Sequence, residues 1–404
     1  MAYFRNNTVN LLNLHYAIHA LALTGGGAFF AIYLLKSGVP APAVVAAVSL
    51  ILLGRFVIRP SVLVLARRVG LKPLVIAGTM ASVVQYVLLA EVHSIGIGLL
   101  VLCIVSSVAD TYYWTSYHAF FATLGDAEHR GHQVGAREAI AAVVGIIGPL
   151  ATGWALTVLG PRAAFGANAV VLLLSALPLV WAPNVTIARN APGGFRAALA
   201  GMLLFAADGW MIAGYWFVWS IALFLALGES FSAYGGAMAL AAVVGAISGL
   251  VLGRLIDAGH GSRAAALALA ALVVTITLRA VSYGDPALAV IANAAGALVM
   301  YLYLPTLGTA IYNQAKRSPC ALRFHIAAEG GWDLGGASAG LICAALLWLG
   351  APLGACILLS LFGAFAVFVL LRRYYAATET TTEPVVTTIE PVVMSELAGS
   401  QREA

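Results

Sequence analysis

The 404-residue sequence predicts an all-α integral membrane protein, with twelve transmembrane helices in two pseudo-symmetric six-helix bundles. Three observations predict it. Hydrophobic residues make up 62% of the chain and Asp, Glu, Lys and Arg only 9%, more apolar surface than a water-soluble domain can cover with polar groups. Apolar runs of roughly 18–27 residues follow one another along the chain, each long enough to cross ~30 Å of hydrocarbon. The stretch Asp110–Pro149 also has a counterpart at Tyr301–Leu341. Both contain an aromatic helix, a basic loop ending in an Arg (Arg137, Arg323) and a glycine-rich helix with an acidic residue near its start. Recurrence after about half the chain length marks two related halves, as in transporters built from repeats.

In chain order the spans fall at 12–35, 42–65, 73–91, 95–121, 138–159, 164–182, 198–227, 232–256, 264–282, 286–312, 326–349 and 352–373. Three longer connections are expected, at 122–137, 183–197 and 313–325. The second contains Pro183, Pro192 and the pair Gly193-Gly194, and reads as a cytoplasmic joint between a bundle over 1–182 and a bundle over 198–373. Residues 374–404 are rich in Thr, Glu and Pro and read as a disordered cytoplasmic tail. Cys103, Cys320, Cys343 and Cys356 have no paired spacing, so neither a disulfide framework nor a metal cluster is expected. The first run is long enough to span and no small-residue cleavage site follows it, so it does not read as a signal peptide.

Loop charge sets the orientation. With the N-terminus inside, sixteen basic residues fall on the cytoplasmic side: Arg5, Arg67, Arg68, Lys72, Arg130, Arg137, Arg189, Arg196, Arg254, Arg263, Lys316, Arg317, Arg323, Arg372, Arg373 and Arg402. The outer side receives Lys36, Arg162 and Arg279. This positive-inside bias puts both termini in the cytoplasm, and a bacterial inner membrane is the expected location. Because the net charge of +5 comes from loops, it implies no nucleic-acid partner. Of 21 basic residues only Arg55 and Arg59 are left inside a span.

Twelve spans in two halves, with both termini inside, resemble the major facilitator superfamily over about residues 10–373. After the second span that family has a loop of the form G-x-x-x-D-R-x-G-R-K. Here Leu65–Pro73 reads LARRVGLKP, with Arg68, Gly70 and Lys72 matching and Arg67 in the acidic position. The second-half copy, GRLIDAGHGSR, keeps Gly253, Asp257 and Arg263. The fifth span carries IIGPLATG, similar to a Gly-Pro motif of exporters. The resemblance implies alternating access around a cavity lined by helices 1, 4, 7 and 10. It further implies a cytoplasmic latch in which Arg67, Arg68, Lys72, Asp257 and Arg263 brace helix ends.

Those four helices hold most of the polar and aromatic residues. The candidate cavity residues are His15, His19, Asp110, Tyr113, Trp114, Tyr117, Asp208, Trp210, Trp216, Tyr301 and Tyr303. For each aromatic the alternative is packing or an interfacial belt, and Trp219 and Trp348 read as belt. His15 and His19 stand at i, i+4, a spacing that can bind a metal, but no third ligand is near in sequence. No metal and no cofactor are therefore expected. Glycines recur every fourth residue at Gly245, Gly249 and Gly253, at Gly331 and Gly335, and at Gly336 and Gly340. With Gly145, Gly148 and Gly153 they suggest two close seams between the halves, or close packing within one half.

Buried charge gives the sharpest expectation, because an unpaired charge deep in a bilayer is costly. Arg55 and Arg59 share one helix face. Asp110, Asp208, Glu329 and Asp333 lie at comparable depth, with Arg55–Asp110 and Arg59–Asp333 the expected pairs. These serve either as structural ion pairs or as carboxylates whose proton occupancy couples to substrate movement. No P-loop is present, so ATP drive within this chain is excluded, and no catalytic motif suggests an enzyme. The expected function is secondary active transport by a monomer, with protons as coupling partners and the lipid bilayer as surroundings. Its substrate is expected to be a small amphipathic or aromatic solute, and its direction export. The alternative is proton-coupled uptake of a polar metabolite, a sugar or an organic anion, with Arg55 as clamp.

Overall fold

The computed structural model describes residues 7–124, 130–187, 190–256 and 261–379. Side chains within these stretches are described except at 122, 130–141, 249–256, 261, 262, 264, 301, 378 and 379. Among the described residues twelve long helices follow in order: α1 Asn7–Lys36, α2 Ala41–Val69, α3 Leu71–Leu89, α4 Ile97–Leu124, α5 Arg130–Val158, α6 Pro161–Val180, α7 Leu199–Ala226, α8 Phe231–Ile256, α9 Gly261–Ser282, α10 Pro286–Arg317, α11 Ala321–Trp348 and α12 Leu353–Glu379. Eleven contain a described stretch long and apolar enough to cross a bilayer, and α5 supplies the shorter apolar stretch Ala142–Val158. The α1 end that begins at Asn7 defines what is called here the terminal face of the bundle.

Local chemistry explains the punctuation. Pro at the first turn opens α2, α6 and α10, where a missing N–H costs nothing. Asp285 caps α10 by accepting from Leu288 N at 2.9 Å. The turn from α2 to α3 passes through Gly70 at φ 86°, where an L side chain would be strained. Asn184 locks that turn, donating to Val69 O at 2.7 Å and accepting from Lys72 N at 3.2 Å.

Three expected boundaries are corrected. The loop expected at 122–137 is helical from Arg130 onward, and that expected at 313–325 contracts to 318–320. The last helix runs through Glu379, into the segment expected to be tail. Hydropathy reports only the part of a helix inside hydrocarbon, whereas good helix formers such as Gln314, Ala315, Lys316 and Arg317 carry the backbone further into water. The rest of the expected tail, 380–404, lies outside the described residues.

Neither α1 nor α7 is uninterrupted. Each holds a π turn, Leu23–Gly27 in α1 and Ala213–Val218 in α7, at related positions of the two halves. Such turns mark places where a helix is re-aimed, often at functional sites.

Between the bundles α2 packs along α11 and α5 along α8. Close approach at α5–α8 rests on Gly153, set against Phe231 O, and on Gly235, set against Pro149 O. Gly336 and Gly340 play that part at α2, against Leu52 and Ser49. Gly331 and Gly335 pack instead against Met202 and Ala206 of α7, within one bundle, and Gly148 against Thr24 and Gly25 of α1. The side chains beside Gly249 and Gly253 lie outside the description.

Candidate functional site

A cavity of about 640 Å³ lies between the bundles, within the range of small-molecule sites. His19, Asp110, Tyr113, Trp114 and Trp216 line it, as do Arg55, Tyr86, Tyr215, Trp219, Tyr234, Arg279 and Trp332. Both π turns border it, through Leu23, Thr24 and Gly27 on one side and Tyr215, Trp216 and Phe217 on the other.

The remaining sequence-selected residues stand behind this wall. His15 is buried, with Nδ1 2.6 Å from Ser175 O and Nε2 3.2 Å from the Tyr113 hydroxyl. Tyr117 stacks on Tyr113 with ring centroids 5.5 Å apart. Trp210 turns away and donates to Leu359 O at 3.1 Å, toward α12. Asp208 accepts from the Tyr303 hydroxyl and from Trp332 Nε1, the latter at 2.9 Å. The side chain of Tyr301 is outside the description. His19, which does face the cavity, stacks on Tyr113 at 3.7 Å.

At the terminal side of the cavity lies a network of buried charge. Arg59 donates to Glu329 and Asp333 of α11 and to Thr115 of α4. Arg55 stands between two acids, its Nη1 3.5 Å from Asp110 Oδ2 and its Nε 3.0 Å from Asp333 Oδ1. Its guanidinium also covers Trp332, 5.3 Å from the ring centroid. His118 Nδ1 lies 3.0 Å from Glu329 Oε1, and Thr115 donates to Glu329 Oε2 at 3.0 Å. The α2–α4–α11 junction is thus fastened by ions rather than by apolar packing alone.

Arg279 overturns the charge assignment made from the loops. It does not reach the outer surface but is 5% exposed, inside the second bundle. Its Nη1 donates to Tyr215 O, and its guanidinium lies 4.0 Å from the Tyr215 ring and 5.0 Å from the Trp219 ring. Trp219, expected in an interfacial belt, is buried and donates to Asn293 Oδ1 at 3.1 Å. Three residues from the end of an apolar helix, an Arg can turn outward to water or inward to a cavity, and sequence alone does not distinguish the two.

Among the residues proposed for the latch, Lys72 Nζ donates to Ala182 O at 2.9 Å and Val180 O at 3.3 Å, tying the start of α3 to the end of α6. Arg67, Arg68 and Arg263 are exposed at the same face, and Asp257 lies outside the described residues.

A two-bundle helical membrane protein with a central cavity and helices fastened across its midline has the architecture of a transporter. Residues 12–319 match the model of the Major Facilitator Superfamily, and the chain belongs to that family. It is similar in structure to an auto-inhibited POT family peptide transporter, with TM-score 0.62, 15% identity, and 92% of this chain and 96% of the other covered. It is also similar to the human organic anion transporter MFSD10 (TETRAN), with TM-score 0.63, 14% identity and coverage of 90% and 99%. For the POT family transporter PepTSo the values are 0.63, 11%, 94% and 99%. At these identities the likeness concerns the fold. No curated protein sequence matches the chain.

Proposed function

We propose that the protein is a proton-coupled secondary transporter that exports a small amphipathic or aromatic organic solute through the central cavity by alternating access. Both termini would lie in the cytoplasm of a bacterium, on the face bearing Arg67, Arg68, Lys72, Arg263, Lys316, Arg317, Arg372 and Arg373. The aromatic lining supports the solute class, since it offers area and cation–π surface with few fixed charges. The similar structures are named for transport of peptides and of organic anions, which fits an organic cargo. Export is supported by the Gly-Pro motif of α5, whose Pro149 and Gly153 lie along the α5–α8 seam, where rocking would occur. The second reading, with Arg55 as an anion clamp, loses support because two carboxylates already engage Arg55.

Charge counting in the network carries the coupling. Arg55 and Arg59 face Asp110, Glu329 and Asp333, so the fully ionised acids leave one negative charge over. A single proton, on His118 or on a carboxylate, restores neutrality. Asp110 is the acid the cavity reaches: its side chain is 32% exposed, against 11% for Glu329 and 0% for Asp333. Protonating Asp110 would release Arg55 to Asp333 alone, which links proton occupancy to the α2–α11 contact. Asp208 is the competing acid, held by two neutral donors. In proteoliposomes, Asp110→Asn is expected to abolish accumulation driven by a pH gradient while retaining exchange of solute down its own gradient. Undiminished accumulation would reject Asp110 and point to Asp208.

A further inference from the structure

The second bundle contains a cation that the charge network does not use. Among the described residues no carboxylate lies within ion-pair distance of Arg279, although the side chain is buried. A guanidinium keeps its proton at any physiological pH, so burial leaves it charged. Its partners are neutral: one backbone carbonyl, Tyr215 O, and the faces of Tyr215 and Trp219.

The unused part of the guanidinium is one edge. Nη1 donates to Tyr215 O, whereas Nε is buried without an acceptor and Nη2 makes no hydrogen bond among the described residues. Nε and Nη2 together form the side-on fork that a carboxylate accepts through two parallel hydrogen bonds.

The surroundings keep that edge in place. Gly296 of α10 lies against Nη2, where a Cβ would overlap the guanidinium. The Tyr215 hydroxyl donates to Gly296 O at 3.0 Å. One turn away, Asn293 accepts from Trp219 Nε1 and donates to Ala237 O at 3.1 Å. Rings and guanidinium are therefore oriented before any ligand arrives, the condition under which a charged group recognises rather than merely attracts. Arg279, Tyr215, Trp219 and Asn293 all border the central cavity, so the side chain stands at the wall of the transport path.

We propose that Arg279 is the docking point for a cargo carboxylate, taken on its Nε–Nη2 edge. The substrates are then amphipathic organic acids whose aromatic body lies in the aromatic-lined cavity. This rests on the reading of the cavity as the path of an aromatic organic solute. It narrows that class to anions and places the anion on the second bundle, away from Arg55.

The test is isothermal titration of the purified full-length protein in detergent with 2-naphthoate and its neutral counterpart 2-naphthamide. The wild type is expected to bind naphthoate at least ten-fold more tightly than naphthamide. Arg279→Gln should bring the two probes level while still binding naphthamide. Arg279→Lys, which keeps the charge but not the fork, should show an intermediate preference, and it serves as the test if Arg279→Gln does not yield folded protein. A purely structural Arg279 would lower the melting temperature of the variants and leave the ratio of the two affinities unchanged. That result overturns the proposal, as does equal binding of both probes by the wild type, and in either case the aromatic-solute reading stands. A wild type that binds neither probe overturns the aromatic-solute reading and this inference with it.

Discussion

Arg59 is held on several sides at once. It is 1% exposed, and its donors serve two carboxylates and a hydroxyl on two other helices. Removing one partner of a buried ion pair strands the other, which costs about 3–5 kcal/mol. Arg59→Leu should therefore lower stability by about that amount in a denaturation series, and adding Asp333→Leu with Glu329→Gln should recover part of it. A single variant as stable as the parent would show that the acids find water or protons at no cost. The Arg and acidic residues of this network were readable in the sequence, because a charge inside an apolar run has few explanations, whereas its Thr115 and His118 were not singled out. Arg55, Arg59, Asp110, Glu329 and Asp333 all stood out in this way. Arg279 and Asn184 did not. One lies near a helix end and the other in a polar connection, where charge and amide side chains are ordinary, and only tertiary packing turns them inward.

At the scale of helices, the spans were legible throughout, because an apolar length of ~30 Å is a strong periodicity-free signal. Their polar extensions and the two π turns were not, since neither alters hydropathy. Glycine spacing was only half informative: Gly336 and Gly340 do meet the other bundle, whereas Gly331 and Gly335 meet α7. A four-residue repeat names a helix face but not the neighbour it faces. The adjacent pair Gly235-Gly236 makes the distinction testable. A Cβ on Gly235 would meet Pro149 O across the α5–α8 seam, and one on Gly236 would meet nothing within 4 Å. Gly235→Ala should slow turnover and lower the melting temperature. Gly236→Ala should be neutral or gain up to ~1 kcal/mol from helix propensity. Equal behaviour of the two variants would remove the seam from the account.

For the whole molecule, the bundles touch on both sides of the cavity. The terminal side is fastened by the Arg59 network, with Leu322 and Ile326 in one apolar cluster with Leu12 and Phe120. The opposite side is fastened by Phe29 against Tyr234, by Thr157 and Ser232 at 2.8 Å, and by Lys36 with Glu229 at 3.0 Å. The last pair is exposed and contributes little, about 0–1 kcal/mol, so the two sides are fastened unequally. The guanidinium of Arg279 gives this chamber a property that neither side has. With the chamber empty Arg279 has no carboxylate partner among the described residues, and a bound carboxylate would lower the charge the carrier moves by one. Membrane voltage would then act differently on the return of the vacant carrier and on the passage of the loaded one. A charge crossing the full field responds by ~2.3 kcal/mol per 100 mV, so a difference of one charge crossing about a third of it changes the ratio of the two rates about four-fold. Net flux of 2-naphthoate in vesicles at set potassium diffusion potentials and naphthoate–naphthoate exchange should then differ in their dependence on that voltage, and Arg279→Gln should change the dependence of both.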